Sequence, residues 1–104
     1  MNFALYQICL VRIDLGAANY PRPCIIIDIN QNGSVAILPI STKRYDNAAY
    51  FTVSPDYPDF DKTGLKAISY IFDGPVRDAE PTSIIKIIGL LEGDLKTKFI
   101  DWIG

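Results

Sequence analysis

The stretch PCIIIDINQNGSVAILPIS, residues 23–41, decides the fold. Residues 23–29 and 34–41 are rich in β-branched and apolar side chains, which pack well on a pleated surface. Between them stands Asn30-Gln31-Asn32-Gly33. Asn-Gly accepts the positive φ values of a tight turn, so the pattern predicts an antiparallel hairpin. Upstream, residues 5–13 are apolar on both faces, as expected of a strand near the middle of a small barrel. Residues 14–21, with Gly16, Asn19 and Pro21, read as the loop joining it to the hairpin.

Downstream, residues 42–47 form a polar, basic loop, and 49–53 have strand character. Residues 54–64 hold two prolines and three aspartates, which excludes a regular element. Residues 65–72 alternate as a strand that Asp73-Gly74-Pro75 ends, and 84–88 form another strand closed by Gly89. The period then changes. Leu91, Leu95, Phe99 and Trp102 fall at helical spacing, with Lys96, Lys98 and Asp101 on the opposite face. Five or six short strands and one terminal helix predict a mainly β (α+β) protein. The expected architecture is an SH3-like small β-barrel with a C-terminal α-helix, one domain over residues 1–104.

Composition narrows the chemistry. The 104 residues are 49% hydrophobic and 21% charged, with a mean hydropathy of +0.16, which suits a folded domain. No apolar run reaches the ~18 residues of a membrane span, and the N-terminus has no secretory pattern, so a cytoplasmic protein without membrane contact is expected. The net charge of −2 and pI near 4.8 argue against a general nucleic-acid coat. The charge is unevenly spread, however. Residues 1–45 carry a net +2 and residues 46–104 a net −4. There is no histidine, so the commonest general base and metal ligand is missing. Cys9 and Cys24 lack the paired spacing of a zinc site and read as buried thiols. No metal or cofactor is expected, and an enzyme built from this chain must use arginine, hydroxyls and carboxylates.

Three polar positions lie at strand ends. Arg22 is held between Pro21 and Pro23, Ser41-Thr42 closes the hairpin's second strand, and Asp73 follows Ser69-Tyr70-Ile71-Phe72. With them the chain from about Ile8 to Gly104 resembles the PemK/MazF toxins, relatives of the Kid and CcdB toxins of bacterial type II toxin–antitoxin systems. The resemblance runs through Ile8-Cys9-Leu10-Val11-Arg12-Ile13, Arg22-Pro23, Pro39-Ile40-Ser41-Thr42, Gly64-Leu65, Ser69 and Ile87-Ile88-Gly89. It implies a homodimeric toxin that cuts single-stranded RNA at short sequences without metal (an mRNA interferase) and is held in check by an antitoxin.

Carried over by position, the family's arginine before proline is Arg22, its catalytic hydroxyl falls on Ser41, and the aspartate of one branch matches Asp73. Asn19, Tyr20, Thr42, Lys43 and Arg77 are the candidate substrate-binding residues. Two departures stand out. Ile71 replaces the arginine expected two residues before the aspartate, and Tyr6-Gln7 stands where Gly-Asp or Gly-Glu normally opens the first strand. Arginine suits phosphate because its fork of donors matches two oxygens at once. Tyr20, Tyr45 and Tyr50 are candidates for stacking on bases. The alternative is a non-catalytic binder on the same fold, gyrase-binding like CcdB or a degenerate antitoxin-binding protein. The loop 14–20 is expected to border the active groove.

Overall fold

The computed structural model describes residues 2–12, 21–44 and 47–104. Its strands are β1 (Gln7–Arg12), β2 (Pro21–Ile29), β3 (Val35–Ser41), β4 (Tyr50–Val53), β5 (Ser69–Phe72), β6 (Arg77–Ala79) and β7 (Ile84–Leu90). One helix, α1 (Gly93–Ile103), closes the chain, and short 3-10 helices occupy Phe60–Thr63 and Pro81–Ser83. All strand pairs are antiparallel, in the order β4-β5-β3-β2-β1-β7, with β6 also on β3. The described residues thus form a mainly β structure with an open seven-stranded sheet and a C-terminal helix.

The hairpin forms as its sequence dictates. Asn30 donates its backbone N–H to the Ser34 carbonyl at 2.9 Å, and Gly33 takes a φ of 89° that only glycine adopts at no steric cost. The register runs Cys24↔Pro39, Ile25↔Leu38, Ile26↔Ile37, then shifts by one residue at Ile27 before Asp28↔Ala36. Such a bulge bends a strand and increases its twist. Two further register shifts separate β1 from β7.

Because residues alternate across a strand, β1–β3 feed two cores at once. Ile8, Ile25, Leu38 and Ile40 join Ile71, Val53, Leu91, Leu95 and Phe99 on one face. Cys9, Val11, Cys24, Ile26, Val35 and Ile37 join Ala79 and Ile84 on the other. The helix covers the first face with Leu95 and Phe99, and Trp102 packs at 5.9 Å from both Phe51 and Phe99.

Three elements differ from expectation. Residues 65–68 are not strand, and Lys66, Ala67 and Ile68 are exposed. Residues 54–64, expected to be irregular, contain the 3-10 helix Phe60–Thr63, pinned by the Thr63 hydroxyl donating to the Phe60 carbonyl at 2.6 Å. β6 was not expected at all. It forms because Val35↔Ala79, Ala36↔Asp78 and Ile37↔Arg77 pair across a long sequence separation. Among the described residues, no helix is long and apolar enough to cross a membrane.

Candidate functional site

Arg22 belongs to β2, which starts at Pro21, two residues earlier than expected. Strand alternation sets its side chain on the Cys24 face, and it is half-buried, with its Nε shielded from solvent. The Cys24 thiol donates to the Arg22 carbonyl at 3.7 Å. Burial pushes the Cys24 thiol up to about 12, the neighbouring Cys9 adds to this, and the Arg77 and Arg22 guanidiniums pull it down. Both arginines therefore act on one point of this face. Burial likewise raises Cys9 to about 11, so both thiols are protonated, unreactive core groups, as their apolar setting predicts.

Ser41 ends β3 and pairs with Tyr70 of β5, which in turn pairs with Thr52 of β4. The β2–β3 pairing ends at Cys24↔Pro39, and Arg22 and Ser41 each lie two residues beyond that last pair, on adjacent strands. Directly opposed residues share a face. Ser41, Tyr70 and Thr52 thus make one row across three strands, with Arg22 near its Ser41 end on β2, and all four are half-buried. With strands ≈4.8 Å apart, Arg22 and Tyr70 are separated by about 10 Å along this row. The Ser41 Oγ accepts the backbone N–H of Lys43 at 3.1 Å, a local turn bond that fixes the hydroxyl and exposes Lys43.

The opposite side of the same strand end opens into a groove of about 640 Å³. Leu10, Pro23, Ile40, Leu65 and Ile88 line it together with Ser41, Thr42, Lys66 and Lys86. Arg22 and Asp73 are not part of that lining. The sequence-derived residues therefore do not converge on this cavity. Ser41 and Thr42 line the groove, while Arg22, Asp73 and Arg77 lie outside it.

Asp73 is exposed, one residue past β5, and its backbone N–H donates to the Ala49 carbonyl at 3.3 Å. It lies three residues from Tyr70, about 10 Å along the strand from the row at ≈3.4 Å per residue. Arg77 is exposed on β6 and borders a separate depression of about 330 Å³ with Val11, Arg12 and Ile37. Asn19, Tyr20, the loop 14–20 and Tyr45 lie outside the described residues. Among the described residues, no three carboxylates or thiols gather as metal ligands would.

Sequence reasoning singled out Tyr50 but missed its partners. Tyr50 and Tyr70 meet edge to face with ring centroids 5.2 Å apart. The Arg44 guanidinium stands 5.6 Å over the Tyr70 ring, and its Nη1 donates to the Tyr50 hydroxyl at 3.3 Å. The missed signal is alternation in β5: Ser69 and Ile71 are buried, which turns Tyr70 to the Ser41 face. At the two departures from the family pattern, Ile71 is fully buried in the first core, and Tyr6 adopts a φ of 69°. That backbone is the left-handed conformation glycine favours, and Tyr6 is held in it by bonds from its N–H to the Ile26 carbonyl and from the Leu91 N–H to its own carbonyl.

No protein-family model matches this chain, and no curated protein matches it.

Proposed function

We propose that this chain is a PemK/MazF-like toxin of a type II toxin–antitoxin system, a metal-independent endoribonuclease acting on single-stranded RNA from an SH3-like framework. The observation that carries the reading is that Arg22 and Ser41 lie on adjacent strands, each two residues beyond the last β2–β3 pair Cys24↔Pro39, and both are half-buried.

In this reading the 2′-hydroxyl attacks the adjacent phosphorus and the bond to the 5′-oxygen breaks. The products are a cyclic 2′,3′-phosphate and a free 5′-hydroxyl. Arg22 stabilises the extra negative charge of the phosphorane with its bidentate fork, and Ser41, with Thr42 beside it, orients a phosphate oxygen. Asp73, about 10 Å along the strands, is beyond hydrogen-bond reach of a ribose held between Arg22 and Ser41. The 2′-hydroxyl proton therefore leaves to solvent, and the departing 5′-oxygen takes its proton from solvent.

The non-catalytic reading draws support from one position. Ile71 fills the core where the family's second arginine would stand, so the phosphate site has one cation fewer.

The test is incubation of purified protein with mixed RNA in EDTA, with mapping of the new ends. Cyclic phosphate ends are expected, with Arg22→Ala slowed by ~10²–10³. Arg22→Lys should fail as well, because an ammonium cannot reproduce the fork. Unimpaired cleavage by a folded Arg22→Ala protein refutes the mechanism. An intact RNA pool with the wild-type protein leaves the binder.

A further inference from the structure

We propose that Tyr70, Tyr50 and Arg44 form a stacking platform for one unpaired base of single-stranded nucleic acid, beside the Arg22–Ser41 pair. The inference deepens the ribonuclease reading and rests on it for the identity of the strand as RNA.

The platform follows from alternation. Ser69 and Ile71 point into the first core, so Tyr70 must face outward on the Ser41 side, where it is only half-buried. Tyr50 buttresses it edge to face at 5.2 Å and itself leans on Phe72 at 6.4 Å. The ring pair is thus stiff, and a stiff aromatic surface loses little entropy when a flat ligand lands on it. Every base offers such a flat face, and base–aromatic stacking tolerates any sequence.

Charge selects the ligand class further. Arg44 and Lys43 are exposed beside the platform, and the row Ser41, Tyr70, Thr52 holds no carboxylate. An acidic peptide would satisfy the cations, but its side chains offer no plane to match Tyr70. A nucleotide satisfies both. The Arg44 guanidinium stands 5.6 Å from the Tyr70 ring centroid, within cation–π range, so it occupies the face on which a base would stack. Arg44 therefore swings outward to the neighbouring phosphate as the base takes its place. The next phosphate then lies toward Ser41, one strand or about 5 Å from Tyr70, with Arg22 a further strand away.

The probe is a fluorescein-labelled oligothymidylate, which lacks the 2′-hydroxyl and cannot be cut by this chemistry, read by fluorescence anisotropy. Tyr70→Leu should weaken binding about tenfold or more, whereas Tyr70→Phe should stay within about twofold of wild type. Arg44→Gln, at an exposed position and checked for native circular dichroism, should flatten the salt dependence by about 0.7 in slope, the value for one phosphate contact on a single strand. Equal affinity of wild type and Arg44→Gln at all salt concentrations overturns the proposal. So does a folded Tyr70→Leu protein that binds as wild type does, or a wild-type protein that binds polyglutamate and not the oligonucleotide. RNA cleavage is scored separately. Platform-dependent binding without cleavage upholds the platform and refutes the nuclease, and cleavage that ignores Tyr70 and Arg44 does the reverse.

Discussion

Substituting alanine for Gly64 should cost this protein more than any other single added methyl group. Gly64 follows the 3-10 helix Phe60–Thr63 with a φ of 74°, and a Cβ built there runs into the backbone carbonyl of Ile88 in β7. Gly89 answers it from β7, since a Cβ there meets the carbonyls of Lys62 and Thr63. Two backbones are stacked with no room for side chains, and this contact forms one wall of the groove beside Ser41 and Thr42. The left-handed backbone costs a non-glycine residue about 1–2 kcal/mol, and overpacking against an immobile carbonyl about 1–3 more. The sum is about 2–5 kcal/mol, and at about 4–8 °C per kcal/mol the melting temperature should fall by at least about 8 °C.

Gly33 supplies the control. Its φ is 89°, yet nothing lies within 4 Å of its Cβ position, so Gly33→Ala carries strain alone, about 1–2 kcal/mol. Gly89→Ala carries the clash without positive φ and should fall between the two. Thermal unfolding followed by far-ultraviolet circular dichroism measures all three. If Gly64→Ala melts no lower than Gly33→Ala, the stacked-backbone argument is wrong.

The remaining expectations concern the thiols and the helix. Burial raises Cys9 to about 11 and Cys24 to about 12 from an ordinary 9.0, so above pH 9 the unfolded chain loses protons that the native state keeps. Stability should therefore fall with rising pH by up to ~1.4 kcal/mol per unit for each thiol, and Cys24→Ala should show a shallower fall in urea midpoint between pH 8 and pH 10. Identical slopes would count against the buried-thiol account. On α1, Ile100 and Ile103 are about two-fifths exposed at i,i+3 spacing and form an apolar patch. We expect a homodimer through this patch, which Ile100→Glu should convert to monomer in sedimentation velocity; a wild-type monomer at micromolar concentration refutes it.

What the sequence made legible was local. Residues 23–41 carry their own turn and their own alternation, and the hairpin, its bulge apart, follows from them. The helix was legible because Leu95 and Phe99 repeat at its period. β6 was not, because Arg77-Asp78-Ala79 has no strand pattern and gains its order from β3 alone. Residues 65–68 misled in the opposite direction: Leu65 and Ile68 suggest a longer strand, but Gly64 turns the chain away and Ile68 is left 41% exposed. At the site, Arg22 and Ser41 could be singled out because each sits at a strand end marked by proline. Tyr70 and Arg44 could not, since an aromatic in an apolar strand and an arginine in a loop gain meaning only once the register fixes which side they face.

The charge of the molecule is the point where sequence average and structure part most clearly. A net charge of −2 suggests poor affinity for phosphate. Yet Arg22 and Arg77 both act on the Cys24 thiol of β2, and Lys43 and Arg44 follow Ser41-Thr42. The carboxylates of Asp59, Asp61, Glu92, Asp94 and Asp101 belong instead to the 3-10 segment and α1, whose apolar residues build the first core. The sheet stands between the two sets, and packed layers are ≈10 Å apart. Those acids therefore lie on the far side of the sheet from a phosphate on the Arg22 face. Arg22, Lys43 and Arg44 are the cations nearest Ser41, with Arg77 at a separate depression, which is a modest electrostatic footprint for a single-strand binder. Affinity on this face must therefore draw on stacking as well as on charge, and the aromatic pair beside Ser41 is where the fold provides it.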